Sequence, residues 1–256
     1  MFPSLKLEAQ STNDSEPTST LKSTVILPAI AAALHQDDLR APITYCTPNL
    51  LELTRLYEVA RSEHFLENHP AWWSVVDNLN LGSVFRIDLE QLSRRPVSDR
   101  DPLGANLSFL LDQGYAQKAI YLLPFFQHIL IKCGDRGALV VMRISTGDTA
   151  FSGWKNERSN PIRRYVVAEG KNGELLVIQH FPPLPVKLPV SVTGAGDSFV
   201  GALLAMLVDD SSKLYHPETL QELMSTAQKA AVLTLECQSA VSPLLSKLLD
   251  PKTIMR

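Results

Sequence analysis

The stretch VTGAGDSFVGALLAML, residues 192–207, sets a carboxylate directly after two glycines and directly before an apolar segment of helical character. Backbone amides at a helix N-terminus are unpaired and lie at the positive end of the helix dipole, so they attract anions. Gly194, Ala195 and Gly196 keep side chains away from those amides, and a phosphate oxygen can reach them closely. Asp197 then stands beside the bound group, where a carboxylate can accept the proton of an attacking hydroxyl. A plain helix cap by Asp197, with the glycines forming a tight turn, satisfies the same spacing. The stretch is neither a dinucleotide fingerprint, since Phe199 occupies the third glycine position, nor a Walker loop, which needs Gly-Lys-Ser/Thr where this chain has Gly-Asp-Ser.

Two other stretches bear on the same chemistry. In TPNLLEL, Asn49 and Glu52 are three residues apart at the start of a helical segment and can point to one spot. An amide and a carboxylate there suit a hydrated magnesium ion beside phosphates, because magnesium keeps most of its waters. They equally suit a capping box, with Asn49 as the cap and Glu52 reaching back. In IKCGDRGALVV, Lys132, Gly134 and Gly137 surround a turn between two strand-like runs, which is either a nucleotide edge or an ordinary hairpin. The six histidines show no HxxxH, and Cys46, Cys133 and Cys237 form no CxxC, so no zinc or iron site is expected and the thiols read as reduced.

The elements that must position these residues follow from periodicity. Ile43–Cys46 reads as a short strand ended by Pro48, and Leu50, Leu53, Leu56, Tyr57 and Ala60 then recur at helical steps. Helices are expected over HPAWWSVVDNLNLG and PLGANLSFLLDQGYAQKA, joined by a charged linker near QLSRRPVSDRD, and Pro28 should interrupt or bound an earlier one. Strands are expected on both sides of the Gly134–Gly137 turn, at Arg164–Ala168 and at Leu175–His180, and helices over Ala195–Val208, Pro217–Cys237 and Val241–Leu249. Strands mixed with long helices favour an α/β layer architecture with a largely parallel sheet. Few strands precede Asn49, so such a sheet starts in its middle, with an exposed edge and apolar flank.

With 256 residues, 45% hydrophobic and 20% charged, the chain can bury one sizeable core. A net charge of −3 gives no footprint for nucleic acid. No apolar run approaches a membrane span and the N-terminus lacks a secretory pattern, so an intracellular, cytoplasmic protein is expected.

Asn-x-x-Glu, then Lys-x-Gly-x-x-Gly between strands, then Gly-Ala-Gly-Asp opening an apolar helix is a specific succession. It resembles the ribokinase/PfkB family of sugar and nucleoside kinases over roughly Glu16 to Leu249. Within that family it is most similar to pseudouridine kinases, above all the kinase half of fungal proteins that also carry a pseudouridine-5′-phosphate glycosidase domain; ITYCTPNLLEL, SVTGAGDSFVGALLA and AAVLTLECQSAVSP carry the likeness. The resemblance implies a ribokinase-like three-layer αβα Rossmann-type sheet, N-terminally incomplete and without the β lid. Residues 1–15 would be a flexible tail and 16–256 the C-terminal, nucleotide-binding portion of the kinase domain.

It further implies that Asp197 is the catalytic base and that Gly194, Ala195 and Gly196 form the anion hole. Asn49 and Glu52 would serve Mg2+ through water, Lys132, Gly134 and Gly137 would lie along ATP, and Cys237, Ser239 and Val241 would close round the adenine. Ser191 and Val192 stand where the family has Asp-Thr, whose Asp ligates the activating monovalent cation, which leaves potassium activation open. The expected partners are ATP and a small nucleoside or sugar, pseudouridine by resemblance, with homo-oligomerisation open. No glycine-rich substrate-binding segment precedes Asn49, so a non-catalytic ATP-binding remnant, or a piece of a larger kinase/glycosidase, is the alternative.

Overall fold

A computed structural model describes residues 25–34, 40–67, 69–149, 153–154 and 164–248. The helices that shape the fold are α1 (Leu27–Ala32), α2 (Leu50–Ser62), α3 (Pro70–Asn78), α4 (Ser83–Ser93), α5 (Tyr115–Leu122), α6 (Ala195–Asp209) and α7 (Pro217–Leu235). Single helical turns lie at Phe109–Asp112, Thr146–Thr149 and Leu245–Leu248. The expected tail at residues 1–15 lies outside the described residues. Proline opens α1, α3 and α7, where its missing N–H costs no helical hydrogen bond; Pro28 therefore bounds its helix rather than breaking it.

Five strands form one sheet in the order β1-β2-β3-β5-β4: β1 (Ile43–Cys46), β2 (Phe126–Lys132), β3 (Ala138–Ile144), β4 (Tyr165–Glu169) and β5 (Leu175–Phe181). Only β1 and β2 are parallel; β2–β3, β3–β5 and β4–β5 are antiparallel. This corrects the expectation of a largely parallel sheet. The physical reason is connection length: five residues join β2 to β3 and five join β4 to β5, too few for a parallel crossover.

Alternation along the strands builds a three-layer stack. On one face Ile129, Ile131, Leu139, Val141 and Ile178 pack with Leu53 and Leu56 of α2, Trp72 of α3 and Ala119 of α5. On the other, Leu130, Val140, Met142 and Val177 pack with Phe199 and Leu203 of α6 and Leu223 and Met224 of α7. The α/β layering is thus as expected, although the strand directions are mixed. Arg143 is fully buried on the first face and donates from Nε and Nη2 to Glu174 Oε1 at 3.1 and 2.7 Å, while Asn78 Nδ2 donates to Glu174 Oε2 at 3.0 Å. That ion pair fastens β3 to α3 and to the turn between β4 and β5.

Three helical readings needed correction, one of them the helix expected over Val241–Leu249, which within the described residues is a single turn at Leu245–Leu248. Helix α4 occupies the stretch before and into the expected charged linker: Phe85, Leu89 and Leu92 are buried at helical spacing, but exposed Val84 and Ile87 blur that stripe in the sequence. The helix expected over PLGANLSFLLDQGYAQKA is broken at Gly114, whose φ of 66° ends one turn and starts α5.

Candidate active site

The carboxyl ends of the parallel pair β1 and β2 are Cys46 and Lys132, and ligands of α/β sheets bind outside such ends. Lys132 N donates to Pro48 O at 2.9 Å, which joins the end of β2 to the loop leading into α2. At the start of α2 the capping box forms in both directions: Asn49 Oδ1 accepts from Glu52 N, and Glu52 Oε2 accepts from Asn49 N, each at 2.8 Å. The pair therefore orders the helix start, and Glu52 also lines the cleft beside it.

Helix α6 begins differently. Its N-cap is Gly194, with φ 79° and ψ −6°, and no side chain caps the helix. The first helical bond runs from Ser198 N to Gly194 O at 2.8 Å, so the amides of Ala195, Gly196 and Asp197 precede the ladder. Asp197 sits in the first turn, exposed, and does not act as the cap that its spacing allowed. A Cβ on Gly194 would come within 1.7 Å of Ala240 O, so the loop with Cys237, Ser239 and Val241 lies directly against this helix start. The contact is fixed from behind: Ser198 Oγ and Thr234 Oγ1 share a buried hydrogen bond of 2.8 Å, and Ser242 N donates to Thr234 Oγ1 at 3.3 Å.

Glu52, Lys132 and Asp197 meet in one cleft of about 520 Å3, with Thr47 and Gly201 also on its wall. Lys132 Nζ lies 3.6 Å from the position a Cβ on Gly196 would take, which sets an ammonium beside the α6 amides. A cation at the positive end of a helix is electrostatically unfavourable until an anion joins it. Burial pushes the Cys46 thiol in this cleft up to about 12, the Glu52 charge adds to the rise and Lys132 partly offsets it. The sequence reading missed Gly201 and Leu204 as wall residues; their signal was the helical repeat from Asp197 at steps of four and seven.

Gly134 and Gly137 fall in the turn after Lys132, outside the cleft wall, with φ 62° and 84°. A Cβ on Gly137 would approach Phe181 O to 2.1 Å, so only glycine lets this turn lie against the end of β5. Asn49 and the 237–241 loop are likewise outside the wall, the loop across Gly194 from it. The described residues hold no group of three or more His, Cys, Asp or Glu able to hold a metal. No helix among them is long and apolar enough to cross a membrane.

This geometry defines an α/β protein with an anion-attracting helix end facing a carboxylate and a lysine. Residues 152–247 match the pfkB family carbohydrate kinases. The chain is 28% identical over 254 residues to a pseudouridine-metabolizing bifunctional protein of Schizosaccharomyces pombe, covering 96% of this chain and 29% of that protein. It is 44% identical over 55 residues to a putative fructokinase-8 of Arabidopsis thaliana, covering 22% of this chain and 26% of that one. The chain thus spans less than a third of either relative. Among solved structures, a putative sugar kinase from Clostridium perfringens superposes with a TM-score of 0.41 at 14% identity, over 91% of this chain and 44% of that one. Ribokinase from Thermotoga maritima gives 0.37 at 18% identity, over 87% and 47%.

Proposed function

We propose that this chain transfers the γ-phosphoryl group of ATP to a primary hydroxyl of a nucleoside or sugar, with pseudouridine as acceptor and pseudouridine 5′-phosphate as product. The observation that carries the reading is the meeting of Glu52, Lys132 and Asp197, from three distant segments, in one cleft at an uncapped helix start. The Gly194–Gly196 turn and its amides hold the negative charge that develops on the transferred group, and the Lys132 ammonium adds to that field. Asp197 accepts the hydroxyl proton. The Gly134–Gly137 turn lies along the nucleotide, and Cys237, Ser239 and Val241 close round the adenine. Exposed Val192 and Val241, next in sequence to Thr193–Gly194 and Ala240, supply apolar surface for a flat base.

The donor set fits magnesium: two hard carboxylates, Glu52 and Asp197, share the cleft, and among the described residues no all-protein cage competes with water and phosphate as ligands. Glu52, held by Asn49, would carry the ion through water, and the bound ion offsets phosphate charge. No monovalent cation is assigned: Ser191 Oγ accepts from Thr193 N at 3.2 Å, and the Val192 side chain offers no ligand. The name of the S. pombe relative supports pseudouridine; the fructokinase name supports an alcohol acceptor more broadly.

A second reading, ATP binding without turnover, is favoured by one observation. Apart from Glu52, Lys132, Asp197 and Thr47, the side chains on the described wall are apolar or a thiol, and offer little to a ring of hydroxyls. The deciding experiment is magnesium-dependent ADP formation by the purified chain, with pseudouridine, with fructose and with neither, beside Asp197→Ala. Pseudouridine-dependent turnover lost in the variant supports the kinase. Absent turnover with ATP still raising the melting temperature supports the second reading, and absent ATP binding overturns both.

A further inference from the structure

His180 lies on β5, has no exposed surface, and takes no part in the cleft. Both its ring nitrogens are engaged. Arg164 Nη1 lies 3.3 Å from Nδ1, and Nε2 lies 2.7 Å from Arg136 O. A guanidinium has only protons to offer, so Nδ1 must accept and the single ring proton resides on Nε2, where the Arg136 carbonyl takes it. One neutral tautomer satisfies both contacts. Arg164 is itself held by Pro96 O at 3.0 Å and Asp99 Oδ1 at 2.5 Å.

Arg136 is the last residue of the short helical turn Gly134–Arg136 that follows Lys132. Its side chain stacks over the Phe109 ring, 4.7 Å from the centroid, and its neighbour Gly137 is wedged against Phe181 O. The turn is therefore gripped by a carbonyl bond to His180 and the fit of Gly137 on the side of β5, and by a ring contact to Phe109 of the helical turn Phe109–Asp112. A buried polar hub such as this costs stability unless every member is paired, and here the described partners pair it.

We propose that His180, oriented by Arg164, is a positioning residue for nucleotide binding: it holds the Arg136 carbonyl and thereby fixes the Gly134–Gly137 turn in the geometry the nucleotide needs. The proposal rests on the reading that this turn lies along the nucleotide. It assigns His180 no contact with substrate. Its loss therefore raises KM and Kd for ATP and leaves kcat at saturating ATP within about twofold.

The test uses the full chain with His180→Leu, which removes the donor, and His180→Gln, whose amide nitrogen restores a donor near the Nε2 position. Two readouts are taken: hydrogen exchange of the 133–137 amides, and the Kd of a fluorescent ATP analogue. Faster exchange and a Kd raised about five- to tenfold in the leucine variant, both largely recovered in the glutamine variant, are expected from loss of one buried hydrogen bond. Equal exchange in all three proteins overturns the proposal whatever the nucleotide does. Altered exchange with unchanged Kd overturns the link to binding, and absent binding by the wild type overturns the reading of the turn itself. If the leucine variant fails to fold, Arg164→Gln, which removes the orienting partner from a more peripheral place, must reproduce the exchange effect for the proposal to stand.

Discussion

Helix α6 and its N-cap carry three glycines whose replacement by alanine should give three different results. At Gly194 a Cβ meets two penalties: a left-handed φ of 79°, which costs an L-residue about 1–2 kcal/mol, and a 1.7 Å approach to the Ala240 carbonyl that only a backbone shift can relieve. Together with the strain of moving that loop, Gly194→Ala should lose about 3 kcal/mol or more. At Gly196 the new Cβ sits 3.6 Å from Lys132 Nζ, an ordinary contact, so the fold should hold or gain slightly while the methyl intrudes on the anion position. At Gly201 nothing lies within 4 Å, and alanine should stabilise the helix by up to about 1 kcal/mol. Urea denaturation of the three variants, with nucleotide affinity measured alongside, tests all of this. The expected ranking in stability is Gly201→Ala above wild type and Gly194→Ala far below, with Gly196→Ala losing affinity without losing stability. A neutral Gly194→Ala, or a Gly196→Ala that binds nucleotide normally, would refute the account of the helix start.

Three further outcomes follow from the buried groups. Burial, reinforced by Arg164 and opposed by the bond to Arg136 and by Asp99, lowers the His180 pKa from 6.5 to about 4, so between those values the unfolded chain binds the extra proton. His180's contribution to stability should be complete above about pH 6.5, fall through the window and level off below about pH 4, a loss of about 3 kcal/mol that chemical denaturation across pH can read and His180→Gln should remove. Burial holds the Cys46 and Cys133 thiols near 12, so both should resist iodoacetamide at pH 8 in the native protein and react on unfolding, as mass spectrometry would show. Arg143→Met leaves Glu174 buried with Asn78 as its remaining described side-chain partner and should cost about 3–5 kcal/mol at neutral pH; a calorimetric shift of under a degree would contradict that.

Much of this was legible because the signals were local. The four residues of β1 lie between two punctuations, and the Gly134–Gly137 turn stands between two apolar runs, so both appear where the sequence sets them. Strand direction was misjudged although its cue was present: the five-residue links admit only antiparallel pairing, and the interspersed helices drew the reading elsewhere. Helix α4 was hidden because Val84 and Ile87 are apolar but exposed, which defeats a periodicity count. At the site, the sequence offered the cap and catalytic readings of Asp197 equally. The backbone removes only the cap, since Gly194 at φ 79° takes that position and leaves Asp197 in the first turn, while the catalytic role stays a proposal. The His180 hub had no sequence signal at all, because its partners come from positions 96, 99, 136 and 164 and meet only through tertiary packing.

The cleft takes Glu52 and Leu56 from the helix layer on one face of the sheet, and Asp197, Val200 and Leu204 from the layer on the other. A molecule bound there acts as a cross-brace between two half-cores on opposite faces of the sheet. Occupancy at a hundred times Kd adds about 2.7 kcal/mol to any state in which both layers are in place, and nothing to a state in which one has come away. Ligand should therefore sharpen the cooperativity of unfolding as well as raise its midpoint, merging two transitions into one wherever the layers melt separately without it.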